Sequence, residues 1–444
     1  MVIKKNMFSI LRTIAHKTGL NIAFVLIIAL CGCKESNRQD RTSTDGEKFL
    51  VVVVGDGVPP IDITPDRPFP LNRAQGEAMF NGAAAALNKS PNLEDVNSIV
   101  QIQGIDDKGD PERASQIAKE VRHNPRVLAV IGHATSGTTL HSAWIYEQAG
   151  IPILMPIATS PDVMYPPKKA GLEGYRIRNG FRLPPSDDKG QAPAIAHLVW
   201  KLGLKKVYLL SDISKGAKEY STTLRESLEP YIRPYITREM LNIMTMVARE
   251  TTLFSELART IRSQGIDGVI FCGYGTTSLQ LLDALNEAYG QVSREDRPTV
   301  ILTDGCFIPD LDAKGFNLYL TFPHVGAPEK ADKRDVEILK SISNITQPTS
   351  YEAFGYDAML ILGSAIKTCK AKGLVNRQSL VLQLNAGEVY IGTSGLYEFE
   401  NGENRLAQYD ILHVTDDKRG DKLMLELDEV VTERRLQEIR AQKK

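Results

Sequence analysis

The chain has 444 residues, of which 42% are hydrophobic and 24% are charged, and this composition argues against wholesale disorder, a collagen-like repeat and a polytopic membrane protein. The length predicts two domains of roughly 150 to 200 residues. Basic and acidic residues are nearly balanced, at 53 and 54, which argues against nucleic acid as a partner.

The N-terminal segment has the layout of a secretory signal. Residues 1–20 carry Lys4, Lys5, Arg12 and Lys17 but no acid, and an apolar run of about ten residues follows at 21–30. A membrane-spanning helix needs about 20 apolar residues, so an N-terminal anchor helix is the less favoured alternative. The sequence from Leu30 to Cys33 resembles the lipobox of bacterial lipoproteins, which implies that Cys33 is acylated and becomes the first residue of the mature chain.

The segment after Cys33 predicts a flexible tether. No apolar side chain occurs from Lys34 to Lys48, so the segment lacks the surface whose burial would order it.

From Phe49 onward, short apolar strands alternate with helices. The predicted strands are 49–55, 99–107, 127–133 and 151–157, and the predicted helices are 73–87, 111–123 and 136–150. Continuous apolar strands separated by helices of this length indicate a parallel sheet that is covered on both faces.

The pattern repeats in the second half of the chain. Helices are predicted at 194–202, 253–265, 277–290, 333–343 and 350–372, and strands at 206–212, 267–273, 299–305, 318–322, 395–400 and 408–414. The fold class predicted from the two sets is α/β, with two doubly wound parallel-sheet domains. Residues 422–444 are charged and predicted to be helical, in a loosely attached tail.

Motifs for enzymatic chemistry are missing from the sequence. The GDG at 55–57 does not lead into a helix, as the dinucleotide fingerprint requires, and the histidines lack metal-ligand spacing. His133 and Ser136 could form a base and a nucleophile, but a histidine that ends a strand and a serine that caps a helix explain both residues more simply. We expect no catalytic residue, no metal and no cofactor.

The cysteines of the body do not suggest a disulfide framework or a zinc site. Cys272, Cys306 and Cys369 are widely spaced and form no Cys-x-x-Cys pair. We expect them to be buried thiols, because free cysteine behaves as a small apolar residue.

Hydroxyl residues follow two neighbouring strands where ligands bind in open α/β sheets. Ser136 is predicted to cap the helix after strand 127–133, and Thr159 or Ser160 to cap a helix that begins at Pro161. Free N–H groups and helix dipoles at two such termini would favour a carboxylate or phosphate. Capping alone is the alternative explanation for each motif.

The same residues carry a family resemblance. The stretches 106–121 and 127–164 closely resemble the branched-chain amino-acid binding proteins of bacterial ABC importers, within the type I periplasmic-binding-protein family. The resemblance covers about residues 48–415 and is looser after 210. It implies two α/β lobes that are joined by three crossovers and close on a ligand between them.

The resemblance assigns ligand contacts in the first lobe. Ser136, with neighbouring backbone N–H groups such as that of Gly137, matches the position that holds the ligand carboxylate. Thr159 matches a threonine that helps to hold the amino-acid head group, and Ile157 falls where the family uses a backbone contact.

In the second lobe the resemblance is less complete. Asp304 falls where leucine-binding members place a glutamate against the ligand ammonium, and Tyr274 matches a cleft tyrosine. A further cleft tyrosine is replaced by Gly216, with Tyr220 nearby. Asp304 could instead be a solvated turn residue, because Asp-Gly is a common turn pair.

The domain boundaries combine the sequence pattern with the resemblance. We expect a signal peptide at 1–32, a tether at 33–47, a first lobe at 48–180 plus about 325–393, a second lobe at 181–324 plus about 394–420, and a charged tail at 421–444.

The resemblance implies an extracytoplasmic, lipid-anchored protein that captures an amino acid or a related small polar solute for an ABC importer. Separate permease and ATPase subunits would then be its partners. A ligand-sensing module with the same fold is the main alternative, and an enzyme built on Ser136 and His133 is a third.

Overall fold

Short strands and helices alternate along the chain in the computed structural model. The structure describes residues 47–59, 75–166, 175–213, 217–236, 241–246, 251–308, 311–342, 351–414, 425–431 and 433–442. The strands are β1 (Phe49–Gly55), β2 (Val100–Asp106), β3 (Val127–Gly132), β4 (Ile153–Met155), β5 (Gly180–Arg182), β6 (Val207–Asp212), β7 (Leu241–Met246), β8 (Gly268–Cys272), β9 (Thr299–Leu302), β10 (Leu318–Pro323), β11 (Val389–Ile391), β12 (Leu396–Glu400), β13 (Glu403–Asn404), β14 (Tyr409–Val414) and β15 (Leu425–Val431).

The helices lie mostly between consecutive strands. They are α1 (Gln75–Lys89), α2 (Glu94–Asn97), α3 (Pro111–Val121), α4 (Ser136–Gln148), α5 (Gln191–Lys201), α6 (Lys218–Ile232), α7 (Thr251–Ser263), α8 (Gly275–Tyr289), α9 (Lys333–Ile342), α10 (Tyr351–Ala371), α11 (Arg377–Leu384) and α12 (Glu433–Gln442). No helix in the described ranges combines the length and the apolar content needed to cross a bilayer.

The first sheet is buried on both faces. Its strand order in the described part is β11-β12-β13-β5-β4-β3-β1-β2, and the five strands from β5 to β2 run parallel. In β1, Val51 and Val53 belong to one apolar cluster, whereas Val52 and Val54 belong to another. Alternate side chains of a strand point to opposite faces, so the unbroken valine run fills both cores.

The second sheet has the same construction with an antiparallel edge. Its order is β15-β14-β10-β9-β8-β6-β7, in which β7 to β10 are parallel and β14 and β15 are antiparallel to their neighbours. Within the described residues the chain passes between the sheets at 183–190, 324–332 and 405–408. The predicted fold class, two parallel-sheet lobes with three crossovers, is confirmed.

Sheet membership differs from the expected lobe boundary near 394. β12 and β13 belong to the first sheet, so the chain returns to the second lobe only after Asn404. The Asn404 side-chain amide donates to the carbonyl oxygens of Leu183 (3.0 Å) and Leu396 (3.3 Å). A two-residue strand fixed by such contacts has no periodic signature in the sequence.

The C-terminal segment also differs from the expected loose tail. β15 pairs with β14 along the edge of the second sheet, and α12 packs against α5. His197 Nε2 lies 3.0 Å from a Glu429 carboxylate oxygen, and Lys201 Nζ lies 2.9 Å from that of Asp428. The alternation of apolar and acidic residues in β15 suits an edge strand with one buried face.

A substitution in β15 tests whether this segment is part of the fold. Val431 is fully buried, so Val431→Ala should lower the free energy of unfolding by about 2 kcal/mol. Urea unfolding measures this change, and Val430→Ala, at a half-buried neighbouring position, is the matched control. Equal stability of both variants and the parent would contradict a docked β15.

Candidate ligand-binding site

The predicted site residues lie where parallel strands end. Turns after β3 and β4 come from the first lobe, and turns after β8 and β9 come from the second. Ligands of open α/β sheets bind outside the carboxyl ends of the strands, so these four turns define the candidate site.

Ser136 begins α4 but is not its cap. Thr135 is the N-cap, and its hydroxyl accepts a hydrogen bond from the Thr138 amide at 3.2 Å. The prediction that Ser136 caps the helix is therefore wrong by one residue, because the run of hydroxyl residues offers several capping groups. The Ser136 hydroxyl instead accepts a hydrogen bond from the Ser160 amide at 3.1 Å, which joins the turns after β3 and β4.

The start of α4 presents free amides at a buried position. Ser136 and Gly137 are both buried and lie in the first turn, where an α-helix leaves its N–H groups without a partner. The positive end of the helix dipole lies at the same place. An anion that reached this turn would find donors and a favourable potential.

Thr159 and Ile157 belong to the turn after β4. Thr159 is buried, and its carbonyl oxygen accepts a hydrogen bond from the Asp187 amide at 2.9 Å. Ser160 caps a single 3-10 turn at Pro161–Val163, so the second helix terminus is shorter than expected. Ile157 is half-buried and packs against apolar clusters of both lobes.

Arg182 stabilises the turn after β4 and was not predicted from the sequence. Its fully buried guanidinium donates to both carboxylate oxygens of Glu403, at 2.9 and 2.5 Å, and to the carbonyls of Thr159 (2.9 Å) and Ser160 (2.6 Å). Burial opposes ionisation of Glu403, but Arg182 outweighs it and lowers the pKa of that carboxyl. Arg182 thus fixes the backbone that carries Thr159.

In the second lobe two tyrosines lie beside Asp304. Tyr274 precedes α8, and its ring stacks on Tyr220, with centroids 5.5 Å apart and planes 17° apart. Tyr220 is buried, and its hydroxyl donates to Asp304 Oδ1. Tyr220 on α6 therefore supplies a second cleft tyrosine, whereas Gly216 lies outside the described residues.

Asp304 is a buried residue rather than a solvated one. Its exposed fraction is 7%, and Oδ1 also accepts a hydrogen bond from the Gly305 amide at 2.9 Å. Burial raises the pKa of Asp304, although hydrogen bonds from Tyr220, Gln191 and Gly305 oppose that shift. The alternative that Asp304 is a turn residue is correct about the backbone, which forms a single 3-10 turn there. The expectation that its side chain is solvated is wrong.

Asp187 joins the two sets of residues and was not predicted. It lies in the first crossover and is fully buried, and neither carboxylate oxygen accepts a well-formed hydrogen bond in the described part of the chain, although the Thr159 hydroxyl lies near enough to stabilise its charge. Burial raises the pKa of Asp187 well above its usual range, and the charge of Asp304 raises it further, against smaller effects of the nearby Thr159 hydroxyl and Arg182. The signal that could have found it is the polar run Ser186 to Asp188, which follows two prolines in the segment that leads from the first to the second α/β set.

The candidate base and nucleophile do not meet. His133 Nδ1 lies 2.6 Å from Asp107 Oδ2, and His133 Nε2 lies 3.2 Å from the Tyr146 hydroxyl, all of them buried. Both ring nitrogens are therefore engaged away from Ser136, which argues against the hydrolase alternative. Cys272, Cys306 and Cys369 are free and buried, as expected.

Comparisons with known proteins identify the family of the chain. The sequence model of the family described as "Periplasmic binding protein" matches residues 72–415. The chain belongs to this family. It is similar to an amino acid binding protein of Pseudomonas aeruginosa, at 27% identity over 46% of this chain and 50% of the relative. It is also similar to a Leu/Ile/Val-binding protein of Citrobacter freundii, at 26% identity over 47% and 52%.

The matches span about half the length of these curated relatives. A solved structure covers more of the chain: the leucine binding protein LivK of Thermotoga maritima has a TM-score of 0.69 at 20% identity, over 86% of this chain and 99% of its own. At that identity the likeness shows the fold alone. These relatives are named as binding proteins, which agrees with the expectation that the chain is not an enzyme.

The unpartnered carboxylate of Asp187 yields a stability prediction. Asp187→Asn should raise the free energy of unfolding of the ligand-free protein by about 1 kcal/mol at neutral pH, because it removes an ionisable group whose charged form is disfavoured by burial and by the charge of Asp304. The pKa of Asp187 is higher in the folded than in the unfolded chain, so the parent loses stability as pH rises through the folded value. The gain should therefore be larger near pH 8 than near pH 5.

Urea unfolding of both proteins at the two pH values measures this effect. Asp283→Asn, at an exposed position with a surface ion pair to Lys314, is the charge-matched control. A variant that is less stable than the parent at both pH values would show that Asp187 has a stabilising partner in the folded state.

Proposed function

We propose that this periplasmic binding protein captures an amino acid, or a related small polar solute, between its two lobes and delivers it to an ABC importer. One observation carries the proposal. Asp187 donates its amide N–H to the Thr159 carbonyl of the first lobe, and the negative charge of Asp304 in the second lobe raises the pKa of the Asp187 carboxyl. The anion-binding turns and the acidic pair are therefore within reach of one small molecule.

The first lobe suits the carboxylate end of such a ligand. The amides at the start of α4 lie beside the Ser136 hydroxyl, whose oxygen already accepts from Ser160 and whose hydrogen is free to be donated elsewhere. The buried Thr159 hydroxyl lies on the neighbouring turn. Several donors that converge on one buried point compensate a carboxylate for its lost hydration.

The first crossover and the second lobe provide residues that suit the amine end of the ligand. Asp187 and Asp304 are buried acids, and Tyr220 and Tyr274 form an aromatic wall beside them. An ammonium group would provide the hydrogen bonds that the Asp187 oxygens lack, and an aromatic face attracts a cation in the same position.

Direct contacts between the lobes support hinge closure as the binding transition. The Tyr351 hydroxyl on α10, a helix of the first lobe, donates to the Asp304 carbonyl at 3.1 Å. The Thr223 hydroxyl on α6 of the second lobe donates to Asp162 at 3.3 Å. Ligand would stabilise this arrangement if it binds the closed state better than the open one.

The anchoring part of the proposal rests on the sequence. Cys33 and the segments 1–32 and 33–47 belong to the N-terminal part of the chain, of which the structure describes only the last residue of the tether. The lipobox-like sequence supports an extracytoplasmic protein that is held to a membrane by a lipid on Cys33, next to the permease and ATPase subunits of the importer.

Binding of amino acids to the purified chain tests the central proposal. At least one of the standard amino acids should raise the melting temperature increasingly with its concentration, because it binds the folded state. Asp304→Asn should weaken that binding by about tenfold or more, since it removes one charge-assisted contact to the amine. Asparagine can still accept the bonds from Tyr220 and Gly305, which preserves the local fold.

Isothermal titration calorimetry gives the affinities, and Asp283→Asn again controls for net charge. Absence of binding by every amino acid, or equal affinity of Asp304→Asn and the parent, would refute the proposed site. Binding without any loss of uptake in cells that lack the gene would instead favour the sensing alternative.

The lipid anchor is tested separately. Cys33→Ser should move the protein from the membrane fraction to the soluble extracytoplasmic fraction, because the acylated thiol is removed. Fractionation and immunoblotting measure the distribution, with Cys31→Ser as the matched control, which should stay in the membrane fraction. A Cys33→Ser protein that remains membrane-bound would contradict acylation at this position.

A further inference from the structure

A third carboxylate, that of Asp56, directly follows β1. β1 and β3 run parallel with Val54 opposite Gly132, so Asp56 is at the sheet edge that also leads to Ser136. Asp56 Oδ1 accepts a hydrogen bond from the Gly76 amide at 3.0 Å. The preceding residue, Gln75, donates to the Tyr351 hydroxyl at 2.9 Å, and that hydroxyl reaches the Asp304 backbone.

These acids have no cationic partner in the described part of the chain. Asp56, Asp187 and Asp304 form no ion pair there with a lysine, arginine or histidine. Arg182 lies near Asp187, but its guanidinium donates to Glu403 and to two carbonyls.

The pKa of the Tyr274 phenol provides a second indication that these carboxylates lack a nearby positive charge. Burial raises the pKa of Tyr274, and the next largest causes are the negative charges of Asp304, Asp56 and Asp187. Burial also raises the pKa of Asp56 itself, against the Gly76 amide and together with the charges of Asp107 and Asp106. The three carboxylates thus act on the same phenol, and a cation near this ring is electrostatically favoured.

Capping of α1 explains only part of the environment of Asp56. The Gly76 amide occupies Oδ1, whereas no other described residue donates to Oδ2. A cap on a surface helix needs no further acids beside it. Here two buried acids accompany Asp56, and one of them, Asp187, has no well-formed hydrogen bond on either oxygen.

We infer, on the basis of the proposed function, that the cleft selects an amino acid whose side chain is itself positively charged, as in lysine, ornithine or arginine. Its α-ammonium meets Asp187 and Asp304, and its side-chain cation meets Asp56. An aliphatic side chain in that place would remove water from Asp56 without replacing the lost hydrogen bonds. The relatives named for leucine, isoleucine and valine thus do not define the ligand of this chain.

Lysine and norleucine provide a matched pair of ligands, since norleucine lacks only the side-chain amine. Calorimetric titration of the full chain should give a Kd for lysine at least about tenfold lower than for norleucine, the effect of one charge-assisted contact. Asp56→Asn should reduce this ratio to about threefold or less, mainly by weakening lysine. Asparagine keeps an acceptor for the Gly76 amide, so α1 remains capped.

Asp283→Asn carries the same change in net charge at an exposed site and should keep the parental ratio. Tighter binding of norleucine or leucine than of lysine, ornithine and arginine would overturn this inference and leave the proposed function intact. Failure of every amino acid to bind would instead overturn the proposed function. Should Asp56→Asn not fold, the ratio measured on the parent protein decides the question.

Discussion

The candidate site contains buried carboxylates, those of Asp187 and Asp304, that form no ion pair in the described part of the chain. Two backbone hydrogen bonds, from the Asp187 amide to Thr159 and from the Ala192 amide to the Asp187 carbonyl, fix the backbone of Asp187 at this buried position. Desolvation of a charge is unfavourable unless hydrogen bonds or an opposite charge replace the lost water. A fold that keeps such a group in place sacrifices stability, which is characteristic of a site awaiting a ligand.

The same lobe contains a buried charge that is fully compensated. Arg182 forms a bidentate ion pair with Glu403 and two further bonds to carbonyl oxygens, so its donors are matched inside the protein. Glu403 lies on the last strand before the third crossover, and the pair therefore connects the ligand turn with the hinge. Arg182 therefore has a structural role. The Asp187 carboxylate, in contrast, forms no ion pair in the described part of the chain, which fits the proposed contact with a ligand.

Much of the fold could be predicted from the sequence because its strands are continuous apolar runs between amphipathic helices. The three-residue β5 and β11 and the two-residue β13 were missed, since they are too short to show a period and are fixed by tertiary contacts. α6 and β7 were not anticipated either, and β15 was read as a tail.

For the candidate site, strand ends predicted Ser136 and Thr159, because the position of a parallel strand determines where its carboxyl end lies, whereas Tyr274 and Asp304 came from the family resemblance. The helix cap is Thr135 rather than the predicted Ser136, because neighbouring hydroxyls compete for the same amides. Asp187 was overlooked because an acidic run after two prolines is typical of a solvated turn, and only the packing of both lobes buries it.

Charge and closure are coupled through the same residues. Asp187 is tied to the first lobe through Thr159, and Asp304 belongs to the second, so closing the lobes brings two like charges together. Against this repulsion stand the Tyr351–Asp304 hydrogen bond and the aromatic contacts of Phe307 and Phe322 with Tyr351, at centroid distances of 5.8 and 5.6 Å. Under the proposed function, a bound cation would replace this repulsion by attraction to both acids. The closed state would then be favoured by the charge of the ligand rather than by its size, because like-charge repulsion alone would hold the acids apart.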